Sequence, residues 1–278
     1  MKKRYTSVGF YFYNNQITCV SMRFTRVAGL CMLFSLLLAT QTNAQTNTPN
    51  TGDYRTAAGT AFNWNATGNW ERWDGTTWVR NPPEGYPGQN PGTGTVTIRD
   101  GATVTINVPP QLLNPIGGLV VSGTLQFDNT NRTLNIGSGG VTVNAGGTFR
   151  VAVPANPNNN THTINITGGG SFTNNGTVNF REVSGGNTDV ANLFLSGNLA
   201  GTGTSSTFNN ITFNGTNNQT ITIGGTIINI QAVTYNNTGT ARITKLPTNP
   251  QPSRRQLTPT HQPSHKAIIA TITRALTM

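Results

Sequence analysis

Thr95-Val96-Thr97-Ile98, Thr103-Val104-Thr105-Ile106 and Thr124-Leu125-Gln126-Phe127 are the stretches on which the reading of the fold turns. Apolar residues alternate in them with Thr or Gln, and the unit returns as Val141-Thr142-Val143, Thr148-Phe149-Arg150-Val151 and Thr177-Val178-Asn179-Phe180. A period of two sends alternate side chains to opposite faces, so each unit reads as a strand with one buried side. Strands this short do not hold together alone and must stack on one another. A second pattern says how. Phe208-Asn-Asn-Ile211-Thr212-Phe213-Asn214-Gly-Thr216 returns as Ile230-Gln-Ala-Val233-Thr234-Tyr235-Asn236-Asn-Thr238, displaced by 22 residues at every matched position. A constant displacement sets each residue above its counterpart one turn earlier, as the coils of a solenoid require.

The expected fold is therefore all-β: a right-handed parallel β-helix over residues 94–244, preceded by an aromatic-rich N-terminal cap over 45–93. At ~22 residues and ~4.8 Å per turn, it would be a rod of six or seven coils, roughly 30 Å long. Gly101, Gly123, Gly147, Gly170 and Gly176 are expected to supply corner conformations that other residues resist. Asn and Thr side chains are expected to form ladders along the sides. An antiparallel β-sandwich is the alternative, because Asn175-Gly176 and Asn214-Gly215 are also good hairpin turns.

Charge narrows the function classes once it is located along the chain. The 278 residues carry a net charge of +10, yet all eight acids lie between Asp53 and Asp189, where seven arginines nearly cancel them. The excess sits before residue 27 and after residue 241. With no basic cluster in the central region, a nucleic-acid partner is discounted. Both cysteines, Cys19 and Cys31, precede residue 45, so the rest of the chain has neither disulfide nor thiol ligand.

Val27 to Ala39 is an apolar run preceded by Arg23 and Arg26 and followed by Thr42-Asn43-Ala44. Residues 1–44 read as a signal peptide with an extended basic region, cut after Ala44 and leaving no integral membrane span. Met22 would start a leader of more usual length, which makes residues 1–21 an upstream extension.

Trp64, Trp70, Trp73 and Trp78 fall together with Tyr54, Phe62 and Tyr86. As exposed rings the four tryptophans are candidate glycan-stacking residues; as buried ones they close the first coil of a solenoid, and the second role is favoured. A search for chemistry finds little. A polysaccharide lyase or hydrolase needs paired carboxylates, or carboxylates holding calcium beside a base. Asp100, Asp128 and Glu182 are isolated in sequence, and His162 is the single histidine before the tail. No catalytic, metal or cofactor-binding residue is assigned, and no cofactor is expected.

Gly52-Asp53-Tyr54-Arg55-Thr56, Trp70-Glu71, Asp74-Gly75, Trp78-Val79, the run Val96 to Val104 and the Asn-Ile-Thr-Phe-Asn-Gly repeat together resemble the N-terminal part of large secreted adhesin-like surface proteins of Bacteroidota-type bacteria. The resemblance covers residues 52–240. It implies a secreted or cell-surface location; the partner expected is an extracellular polysaccharide or the surface of a host or neighbouring cell. Members of that group end in a sorting domain, a pattern from which this chain departs. Residues 245–278 hold five prolines and no glycine. They read as a disordered basic tail, expected to come from a frameshift or premature stop, the alternative being a genuine basic tail that binds a cell wall or acidic glycan. The function expected is that of a non-catalytic adhesin-like or structural surface protein, with a carbohydrate-binding or polysaccharide-degrading protein as the alternative.

Overall fold

Alternating Thr and Val residues leave this chain a single way to bury apolar surface, which is to lay one short strand against the next. In the computed structural model the described residues are 48–243, without Ala58, Thr60, 154–158, Thr226 and Thr240, together with Ile269–Ala270. The chain divides after Thr48. The expected leader, 1–44, lies outside the described residues, as does the tail apart from Ile269–Ala270, which pair in parallel with Arg242–Ile243. Among the described residues no helix is long and apolar enough to cross a membrane.

The architecture is all-β, with one large and mostly parallel sheet and two short 3₁₀ turns, Thr67–Asn69 and Pro110–Leu112. Strands appear where the alternation predicts them, at Thr95–Ile98, Thr103–Ile106, Thr124–Phe127, Thr148–Arg150 and Thr177–Asn179. In the first three, Val and Ile, or Leu and Phe, are buried, and the Thr and Gln between them stay partly exposed.

The strands line up in three ladders. In the first, inward residues follow the register Tyr54, Val96, Leu119, Val141, Phe172, Leu199 and Ile221. The second runs Phe62, Val104, Leu125, Phe149, Val178, Ser206. The third runs Leu134, Ile164, Leu193, Ile211, Val233. Phe208 pairs with Ile230, Ile211 with Val233 and Phe213 with Tyr235, the 22-residue register of the sequence repeat. Other steps are longer: Val141 to Phe172 is 31 residues and Leu134 to Ile164 is 30. Part of the length of the step from Val178 to Ser206 is a hairpin, Arg181–Ser184 against the start of Asn187–Leu195.

The core is one continuous apolar cluster to which all three ladders contribute. Phe149 meets Phe180 at 4.9 Å between ring centroids, and Phe180 meets Phe208 at 5.6 Å, both edge to face. His162, fully buried, stacks on Phe127 at 4.5 Å.

Two expectations change here. Of the five corner glycines, Gly101 alone has the left-handed backbone, φ +76°. Gly123, Gly147, Gly170 and Gly176 are required because the neighbouring backbone comes too close for a Cβ. The side-chain ladders are also short. Asn165 donates to Asn135 at 2.8 Å, but the next residue in register is Phe194. Gln126 reaches both ways, donating to Thr105 at 3.1 Å and accepting from Arg150 at 2.8 Å. Replacing Asn165 by Ala is expected to lower stability by about 1 kcal/mol, measured by urea unfolding, because one side-chain hydrogen bond is lost at a partly solvated site.

Candidate functional site

The ladders start earlier than Gly94. Tyr54–Thr56 takes the first position of the first ladder, and its other edge pairs antiparallel with Trp70–Trp73, which forms a hairpin with Trp78–Arg80. The turn is built by Asp74. Its Oδ1 accepts the Thr76 and Thr77 amides at 2.7 Å each and the Thr76 hydroxyl at 2.8 Å, while Gly75 takes φ +109°. These donors, the Thr77 amide foremost, hold the exposed Asp74 carboxyl down at about 2.

Strand alternation then sorts the tryptophans. Trp70 and Trp73 are three residues apart on one strand, so they point to opposite faces. Trp70 is fully buried, with its indole N–H donating to Trp64 O at 2.7 Å. Trp64 is equally buried, donates to Pro87 O at 2.8 Å and lies 5.1 Å from the Trp70 ring. Neither presents a ring face to solvent, which removes Trp64 and Trp70 as glycan-stacking residues. Trp73 and Trp78 are cross-strand partners on the outer face, half-buried, with centroids 5.4 Å apart and planes tilted by 59°.

Glu71 stands opposite both Arg55 and Arg80, so the same outer face carries all three. Arg55 donates from Nε to Glu71 at 2.6 Å and lies with its guanidinium 4.1 Å from the Trp78 ring centroid. Arg99 approaches Glu71 at 4.0 Å and borders a shallow open depression lined also by Gly59, Thr97, Asp100 and Ser122. Arg80 is exposed and donates from Nε to Gly68 O at 3.2 Å. On the opposite face Arg72 pairs with Glu84 at 2.8 Å, beside Tyr54, whose hydroxyl pKa is raised by burial. The outer face is thus two indoles, three guanidinium groups and one carboxylate on a hydrogen-bonded sheet. It can stack a flat apolar ring and present planar donors to its substituents.

The other charged residues are engaged locally. Asp128 takes both the Nε (2.8 Å) and an Nη of Arg132. Glu182 accepts from Asn179, Arg181 donates to Asn209 at 3.3 Å, and Asp100 accepts the Gly101 amide at 2.9 Å. Asp189, fully buried, accepts the Asn160 amide and side chain at 2.9 Å each. Among the described residues no group of three or more His, Cys, Asp or Glu could hold a metal. His162 has both ring nitrogens buried without a partner among the described residues, and burial lowers its pKa to about 4, with nearby Asp128 opposing and Arg132 assisting.

Sequence reasoning missed Arg55, Glu71, Arg80 and Arg99 as neighbours of the tryptophan pair. The signal was present in the Asp74-Gly75 turn, since a hairpin there aligns Trp73 with Trp78 and Glu71 with Arg80. Among known proteins, residues 77–202 are similar to the family described as the G8 domain, a match to less than half of the chain and a description that names no activity. No curated protein and no solved structure matches the chain.

Proposed function

We propose that this chain is an exported, non-catalytic, adhesin-like surface protein, in which a right-handed parallel β-helix displays a glycan-contacting face at its N-terminal end. The observation that carries the reading is the Trp73–Trp78 pair, held half-open on the outside of a hydrogen-bonded sheet with arginines around it. Repeated parallel registers across three ladders and the 22-residue step support the β-helix. The leader-like run 27–44 supports export. The non-catalytic part rests on the acids, of which Glu71, Asp74, Asp128, Glu182 and Asp189 are each committed to a neighbouring donor.

A glycan array probed with the purified chain tests the reading. Trp73→Ala with Trp78→Ala is expected to weaken binding at least tenfold, on the scale of one or two lost stacking contacts (about 1–3 kcal/mol). Trp64→Phe, which alters a buried ring, is expected to leave affinity unchanged. Absence of binding to every glycan on the array overturns the glycan contact.

A further inference from the structure

We infer that the Trp73–Trp78 face selects acidic glycans, chains of pyranose rings that carry ring-borne anions such as uronate carboxylates. The inference rests on the glycan reading above and goes further by assigning the class of sugar. An indole offers the same flat surface to neutral and acidic sugars alike, so selection must come from the groups around it. Here those groups are guanidinium groups, and their donors are only partly used.

Arg80 spends its Nε on Gly68 O, and its two terminal nitrogens have no hydrogen-bond partner among the described residues. Among the described residues Arg99 has a single ionic neighbour, Glu71, at a loose 4.0 Å, and it opens onto the depression beside Thr97 and Ser122. Arg55 takes the Glu71 carboxylate through Nε at 2.6 Å, so Glu71 serves Arg55 and, loosely, Arg99, and Arg80 has no share in it. Guanidinium binds carboxylate in a planar, two-pronged fashion, so each unfilled fork is a preformed site for a ring-borne anion. Two acids flank the face. Asp74, at the hairpin tip, has its carboxylate filled by donors of its own turn. Asp100, at the far edge of the depression, accepts the Gly101 amide. Neither is paired to Arg80 or Arg99.

The register fixes the layout of such a ligand. Arg80, Glu71, Arg55 and Thr97 succeed one another across four hydrogen-bonded strands, with Trp78 and Trp73 alongside on two of them. A sugar chain lying across the strands would rest rings on the indoles and turn its anions toward Arg80 and Arg99.

The test compares the full chain on two probes, polygalacturonate and the same polymer with its carboxyl groups reduced to alcohols. The expected result is at least tenfold tighter binding to polygalacturonate, a preference that shrinks as salt is raised. Arg80→Gln with Arg99→Gln should bring the ratio close to one, weakening binding to polygalacturonate at least tenfold more than binding to the reduced polymer. Trp73→Ala with Trp78→Ala should weaken both. Equal affinity of the wild-type chain for the two polymers, or a ratio that survives the arginine substitutions, overturns the inference and leaves the glycan reading standing. No binding to either polymer overturns it also, and the array result then decides whether the glycan reading falls with it.

Discussion

Gly176→Ala is expected to lower the stability of the chain by about 3 kcal/mol, the upper range for forced overpacking, and its thermal midpoint by about 6–12 °C. A Cβ on Gly176 would come within 2.3 Å of both Asn144 O and Gly147 O. Neither oxygen is free to move aside, since Gly147 O accepts the Thr177 amide and Asn144 O the Gly147 amide, at 2.9 Å each. The constraint repeats along the corner. A Cβ on Gly147 would meet Val121 O at 2.2 Å, one on Gly203 would meet Gly176 O at 2.3 Å, and one on Gly225 would meet Gly203 O at 1.9 Å. Gly146 is the control. It sits beside Gly147 with φ +84° and open space around it, so Gly146→Ala should cost only the left-handed backbone penalty of about 1–2 kcal/mol. Circular dichroism melts of the two variants decide the matter, and a Gly176→Ala midpoint equal to wild type would show that the corner has room.

Acid should destabilise the chain through His162, by about 3 kcal/mol between pH 6.5 and pH 4. The ring is fully buried against Phe127 and its nitrogens lack partners among the described residues; burial lowers its folded pKa to about 4 against 6.5 for the free side chain. Below pH 6.5 the unfolded chain therefore binds a proton that the folded chain refuses. The contribution is complete above pH 6.5 and lost as pH falls through 4. His162→Phe should flatten this limb, and it should be neutral or stabilising at pH 7 because it removes two unpaired polar atoms from the core. Urea unfolding of both proteins at pH 4, 5, 6 and 7 isolates the residue by difference, since carboxylates titrating in that range are common to the two. Parallel curves would show that His162 is protonated in the fold or hydrated.

The strands were legible because their alternation is local. Thr95–Ile98 and Thr103–Ile106 need no knowledge of partners to be recognised. The register of Phe208 with Ile230 was legible as well, because a repeat in sequence is a repeat in space when strands stack in parallel. The unequal steps were not. A hairpin such as Arg181–Ser184 with Asn187–Leu195 adds residues between ladder positions without disturbing either, so nothing in the flanking pattern announces it. Tyr54–Thr56 and Ala61–Asn63, at three residues each, are too short for a period to show. The glycines misled for a physical reason, since a glycine needed for lack of space looks in sequence like one needed for its backbone angle. The candidate site was half legible. Composition located the tryptophans, but only the hairpin register separates Trp64 and Trp70 from Trp73 and Trp78 and brings Arg55 and Arg80 beside the latter.

The hairpin at Gly185–Gly186 also bears on engineering. Its two glycines take φ +58° and +83°, nothing lies within 4 Å of where their side chains would be, and Val183 beside them is 56% exposed. Because the excursion already leaves the ladders and returns to them, its tip is a natural port for grafted peptides. An epitope or affinity tag inserted between Gly185 and Gly186 would be carried clear of the stacked strands, and the glycine corner would not feel it.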